Sequence, residues 1–318
     1  MSKLILLTGS TGFVGSVLLE SLISQSNVKI KVVTRHAVES EGVHFLKVDE
    51  INANTNYSTI ILGVETVIHC AARVHVMEDT TVDSLFEFRA INTEGTLNLA
   101  RQAAAAGIKR FIFLSSIKVN GESTSKRAPF TSLDRRLPED PYGISKSEAE
   151  EQLLALGQET GMEVVIIRSP LVYGEGVKAN FSSLMKLVGK GLPLPFRAIS
   201  HNRRSLVSVY NLVDLIKVCI DHPKAANQVF LVSDDNDLST AQMVTLMAKV
   251  QDKVDLSVPV PVWCFKLVGK FFKKEAVVDR LVGSLQLDIK HTMSTLDWAP
   301  PYSVEHGFKL AAKKSSNN

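Results

Sequence analysis

The sequence predicts an α/β protein: a doubly wound parallel sheet carrying a smaller, mostly helical C-terminal cap. Three observations carry this expectation. Short apolar, strand-like runs alternate with helical stretches through the first 170 residues. A glycine-rich turn follows directly on the first run. After Pro170 the rhythm breaks, and helical stretches dominate from Thr240 onward. Runs of about five residues that lack polar alternation suit a sheet buried on both faces. Strand–helix alternation over six strands argues for parallel crossovers.

Taken in order, the first run covers residues 3–7 and leads into a helical stretch at 13–24. Further runs lie at 28–33, 43–48 and 66–69. A helix over 85–106 is stopped by Gly107, a residue suited to ending helices. The run at 110–114 precedes a helix over 142–159, which Pro141 opens as proline at a first helical turn should. A sixth run covers 163–167. Beyond Pro170, Gly and Pro cluster at 174–176 and 192–195, and the remaining strand signals are at 206–209 and 229–232. The expected division is a parallel-sheet unit over 1–170 and a cap over 171–318, leaving room for later chain to return to the sheet.

Composition excludes several classes. With 318 residues, 45% hydrophobic and 22% charged, the chain can bury a large core. A net charge of +3 from 36 basic and 33 acidic side chains is too balanced for a nucleic-acid binder. Cys70, Cys219 and Cys264 are widely spaced and form no Cys-x-x-Cys pair. Neither a zinc site nor a disulfide framework is expected, and a reducing compartment fits. His69 and His75 lack a partner at metal-ligand spacing and read as core or loop histidines. No signal peptide and no membrane-spanning run of roughly 18 apolar residues is apparent, so a cytoplasmic protein is expected.

The strongest local motif is Thr8-Gly9-Ser10-Thr11-Gly12-Phe13-Val14-Gly15, between a strand and a helix. Gly9 allows the tight turn, Gly12 lets a pyrophosphate approach the backbone, and Gly15 lets helix and strand pack closely. The helix N-terminus offers unpaired N–H groups to the anion, so Thr11, Phe13 and Val14 join the candidate cofactor residues. The second run ends Val33-Thr34-Arg35, without the acid that binds ribose hydroxyls in NAD sites. Arg35 suits a 2′-phosphate, which favours NADP over NAD. Asp49 is a candidate for the adenine amino group.

Tyr142 and Lys146 share a helix face four residues apart. A lysine cation there is expected to lower the phenol's pKa, making Tyr142 a general acid or base. Ser115 and Ser116 end the fifth run, at the carboxyl edge where ligands of open parallel sheets sit.

Thr-Gly-x-x-Gly-x-x-Gly, Ser115-Ser116 and Tyr142-x-x-x-Lys146, at these intervals, resemble the extended short-chain dehydrogenase/reductase family with its Rossmann fold. The branch is that of nucleotide-sugar epimerases, dehydratases and 4-keto reductases. Supporting pieces are His69-Cys70-Ala71-Ala72, Asn92-Thr93-Glu94-Gly95-Thr96 and Arg168-Ser169-Pro170. Others are Asn202-Arg203-Arg204-Ser205 and Leu296-Asp297-Trp298. Residues 71–76 and 115–121 are similar to a subgroup from bacterial surface-polysaccharide clusters. Its members are labelled UDP-glucose 4-epimerase or resemble C4 reductases of UDP-4-keto-6-deoxy-hexosamines.

The resemblance implies a catalytic trio of Ser116, Tyr142 and Lys146. It adds Ala71, Ala72, Asn92, Ser115 and Pro170 to the cofactor set, and Lys118, Asn180 and Arg204 to the substrate set. Asn120 departs from the tyrosine many epimerases carry there, which bears on the sugar pocket. The expected activity is a UDP-4-keto-6-deoxy-hexosamine C4 reductase. The alternatives are a UDP-glucose or UDP-N-acetylhexosamine 4-epimerase and, of another class, a non-catalytic dinucleotide sensor. A UDP-sugar is the expected partner, a homodimer is compatible, and no metal is expected. The aromatic and lysine-rich segment 258–274 reads as a cap helix over the sugar site rather than a membrane contact.

Overall fold

The computed structural model describes residues 2–35, 43–74, 84–177 and 180–313. Strand β1 (Lys3–Thr8) lies in the interior of the sheet, and its side chains alternate between two apolar layers. Ile5 and Leu7 enter one core with Leu18 and Leu22, whereas Leu6 enters the other with Leu97, Phe111 and Phe113. That double burial explains why the strand runs lack polar alternation.

From β1 the chain passes through α1 (Phe13–Ile23), β2 (Val28–Thr34), β3 (Val43–Lys47) and β4 (Thr66–His69). The expected long helix at 85–106 is present but not uniform. Helix α2 (Ser84–Phe88) continues through a π-helical stretch (Arg89–Gly95) into α3 (Thr96–Ala105). At Gly95 the backbone lies so close to the Ile51 carbonyl that a Cβ would sit 2.7 Å from its oxygen. The widened turn ends at this close approach.

Strand β5 (Arg110–Ser116), α4 (Pro141–Thr160) and β6 (Glu163–Ser169) complete the predicted series. Asp140 caps α4 by accepting a hydrogen bond from the Gly143 N–H at 2.7 Å. Gly161, at φ 77°, closes its other end.

The later chain forms β7 (Leu171–Tyr173), α5 (Asn180–Gly189), β8 (Leu206–Ser208), α6 (Val209–Asp221), β9 (Gln228–Leu231) and α7 (Thr240–Lys249). It continues through α8 (Val262–Phe271), α9 (Glu275–Val282), α10 (Lys290–Leu296) and α11 (Val304–Lys313). The large sheet has seven parallel strands in the order β3-β2-β1-β4-β5-β6-β9. Residues beyond 170 therefore supply its last strand, and α6 covers the sheet beside α1.

The cap has its own core around the two-stranded sheet β7-β8. The Tyr173 ring stacks on Phe181 at 5.2 Å and meets Phe308 edge-on at 4.9 Å. Its hydroxyl donates to Asp234 at 2.6 Å, and the same carboxylate accepts from the Ser208 N–H and Asn211.

Helix α8 holds most of the aromatic and lysine-rich segment 258–274, and α9 follows it. They form a hairpin in which Gly269 faces Val278, while Phe265 stacks at 6.0 Å on Phe196 from the chain between α5 and β8. Trp263, Phe271 and Phe272 are left facing outward.

Candidate active site

The glycine turn is as tight as its sequence implies. Gly9 adopts φ 75°, and a Cβ there would lie 2.5 Å from the Ala71 nitrogen after β4. A Cβ on Gly15 would lie 2.1 Å from the Gly9 carbonyl oxygen. Gly12 is exposed and serves as the N-cap of α1. No side chain caps this helix, and its first turn holds no acidic residue. Free N–H groups at such an end attract an anion.

Beside the turn, buried His69 joins three elements through hydrogen bonds with Thr8 at 2.7 Å and Thr96 at 2.9 Å. Burial, with Lys146 nearby, drives its pKa down to about 3, so it is a neutral core residue. His75 lies outside the described residues. Ala71 and Ala72 are half-buried, and the Ala71 backbone lies against the glycine turn. Asn92 is fully buried: its amide accepts from the Arg73 N–H and donates to the Arg73 carbonyl and the Ser145 hydroxyl. It thus fixes the loop following β4 against α4.

Ser116 ends β5 and caps the short 3₁₀ turn Ile117–Val119, accepting from the Lys118 N–H at 3.3 Å. Tyr142 sits in the first turn of α4, edge-on to Phe88 at 6.0 Å. Lys146 is buried one turn on. Its ammonium donates to the Leu114 carbonyl at 3.0 Å and lies 4.3 Å from the Phe113 ring centroid.

The electrostatics correct the expected pKa coupling. Burial and the Asp140 carboxylate push the Tyr142 phenol up to about 12, and only the Ser116 hydroxyl pulls it back. Lys146 is instead lowered to about 8 by burial, opposed by Cys70 and the Glu150 carboxylate. At neutral pH the phenol therefore keeps its proton.

Glu150 is a residue the sequence reading missed. It lies one further turn along the Tyr142–Lys146 face and is fully buried. Its carboxylate accepts from Arg168 Nη2 at 2.6 Å, from Arg168 Nε at 3.0 and 3.2 Å, and from the Ser115 hydroxyl at 2.5 Å. Arg168 also donates to Asn120 at 3.0 Å. Ser115 is therefore turned into this network, and Asn120 is buried within it, so its departure from tyrosine acts on Arg168. Pro170 is buried where β6 ends.

Lys118 is held by Glu122 at 3.1 Å and by Asp140, another residue the sequence reading missed. The Glu122 charge also acts weakly on Arg204. Arg204 donates to the Arg280 carbonyl at 2.8 Å, and burial lowers its pKa. Arg203 instead donates to the Ser200 and Asn202 carbonyls. Arg35 is exposed just past β2, and Asp49 is exposed shortly after β3. Asn180 opens α5, but its side chain lies outside the described residues. A cavity of about 380 Å³ lined by Arg89, Glu94, Arg101 and Glu148 contains none of the trio.

The NAD dependent epimerase/dehydratase family matches residues 5–233. A UDP-glucose 4-epimerase from Vibrio cholerae is 56% identical over 313 residues, covering 98% of this chain and 95% of that protein. The N-acetyl-alpha-D-glucosaminyl-diphospho-ditrans,octacis-undecaprenol 4-epimerase of Escherichia coli O157:H7 is 28% identical, covering 96% and 93%. In fold, the chain is similar to UDP-glucuronic acid 4-epimerase from Bacillus cereus in complex with NAD. The TM-score is 0.79 and the identity 18%, with 99% of each chain covered.

Proposed function

This chain belongs to the NAD-dependent epimerase/dehydratase family, and on that premise we propose that it is a UDP-hexose 4-epimerase that uses NAD. The observation that carries the reading is the 56% identity to a UDP-glucose 4-epimerase along nearly the whole of both chains. It weights the alternative above the 4-keto reductase that the sequence favoured.

The residues present fit the cofactor. The α1 N-terminus and the Gly9–Gly12 turn would hold the pyrophosphate, where Gly12 is exposed and the first turn of α1 carries no acidic residue. Bound NAD supplies the hydride acceptor and donor for C4. The protein handles the proton. Tyr142 exchanges it with O4 of the sugar, Ser116 hydrogen-bonds the phenol and orients it, and Lys146 supplies nearby positive charge. Arg204 serves the diphosphate of the nucleotide sugar, for which a planar guanidinium is suited.

The test is the protein as purified. An epimerase must return the hydride it removes, so stoichiometric bound nicotinamide is expected, with interconversion of UDP-glucose and UDP-galactose without added cofactor. One observation favours the 4-keto reductase as second reading: exposed Arg35 stands near where an acid would bind ribose hydroxyls. An empty site that fills with NADPH, with no epimerisation, would support that reading and overturn the first.

A further inference from the structure

We propose that helix α8 and the turn after it, at the outer side of the α8–α9 hairpin, form a docking surface for an anionic lipid bilayer. Trp263, Leu267 and Phe271 recur every four residues and form one stripe along α8, with exposures of 63%, 59% and 81%. Val268 and Phe272 widen it at 57% and 64%. Phe271 and Phe272 meet edge-on at 5.1 Å where the hairpin turns. Gly269 is the buried residue of α8, and no residue of α9 is fully buried.

The charges around this stripe select the occupant. Lys266 and Lys270 each precede a stripe residue by one position, about 100° round the helix, and so border it. Lys273 and Lys274 sit in the turn beside the phenylalanines. No acidic residue occurs between Asp255 and Glu275. Protruding Trp, Phe and Leu bordered by lysine is the composition of a helix lying in a lipid interface, and clustered lysines attract acidic headgroups. Protein interfaces, by contrast, are depleted in lysine. A second copy docking on this face about a two-fold axis would bring lysine against lysine.

The hairpin is also rooted beside the candidate site. The carbonyl of Leu281 accepts from Asn202 and Thr240, and that of Arg280 accepts from Arg204. Seating the hairpin on a bilayer would bring the Arg204 region close to the lipid surface. The proposal itself does not depend on the reaction assigned above, because its test needs no substrate.

The full chain is sedimented with vesicles of phosphatidylcholine alone, or of phosphatidylcholine with about 30% phosphatidylglycerol. Binding is expected to the anionic vesicles only, and to weaken in high salt. The double variants Phe271→Ser/Phe272→Ser and Lys266→Glu/Lys270→Glu should each lower the bound-to-free ratio about tenfold or more. Unchanged thermal unfolding would show that both variants remain folded. Absence of binding to anionic vesicles, or equal binding by both folded variants, would overturn the proposal. So would a solution mass that falls in the phenylalanine variant, which would make a second copy the occupant.

Discussion

Replacing Glu150 by glutamine tests whether the buried network behind the trio positions it. The carboxylate accepts from two nitrogens of Arg168 and from the Ser115 hydroxyl, with no exposure to water. Glutamine keeps one acceptor oxygen and turns an amide donor toward a guanidinium that can only donate. Breaking a buried ion pair in this way costs about 3–5 kcal/mol, chiefly because the remaining charge has no counterpart. Unfolding temperature should fall by roughly 6–10 °C, at about 2 °C per kcal/mol for a chain of this size.

The second readout separates positioning from mere stability. Glu150 is one of the groups holding Lys146 up against burial. Without its negative charge the lysine gives up its proton more readily, and its pKa falls below about 8. Activity that needs the charged lysine is lost as pH rises through that pKa, so the alkaline limb of the pH–rate profile should move to lower pH. Removing the Arg168 charge as well, in Glu150→Gln/Arg168→Gln, should recover part of both effects. An unmoved alkaline limb with an unfolding temperature within 1 °C of the parent would refute the reasoning.

The remaining expectations concern groups nearer the reaction. Tyr142→Phe should retain nicotinamide binding and lose turnover by about a hundredfold or more, read by cofactor absorbance and steady-state rates. Ser116→Ala should lose less. Asp140→Asn keeps an N-cap oxygen but removes a charge that raises the Tyr142 pKa. The phenol should then ionise at lower pH, as followed by ultraviolet difference titration. Arg204→Ala should raise KM for the UDP-sugar about tenfold with little change in kcat. Arg203→Ala, whose guanidinium is spent on surface carbonyls, should leave KM unchanged.

The sheet was legible because buried strands advertise themselves through unbroken apolar runs. All six early runs are strands, and the run near 229–232 became β9. Gly9 and Gly15 were legible for a different reason: few other residues tolerate such backbone contact. The Tyr142–Lys146 coupling was misjudged because helix spacing fixes which face two residues share, not what each side chain touches. Here Lys146 turns to the Leu114 carbonyl and the Phe113 ring. Glu150 belongs to no short motif, since its partners Arg168 and Ser115 come from separate strands. Its signal was the next four-residue step along the same face. Asp140 could have been found as an acid directly before the helix-opening proline.

The return of β9 to the sheet also matters while the chain is being made. Strand β6 ends at Ser169, but its outer neighbour begins only at Gln228. Ribosomes add about 5–20 residues per second, so the β6 edge stays unpaired for several seconds after its own residues are in place. An uncovered apolar strand edge is a template for intermolecular pairing. A fragment ending near residue 170 would keep that edge open permanently, and co-translational chaperone engagement should be concentrated in this interval.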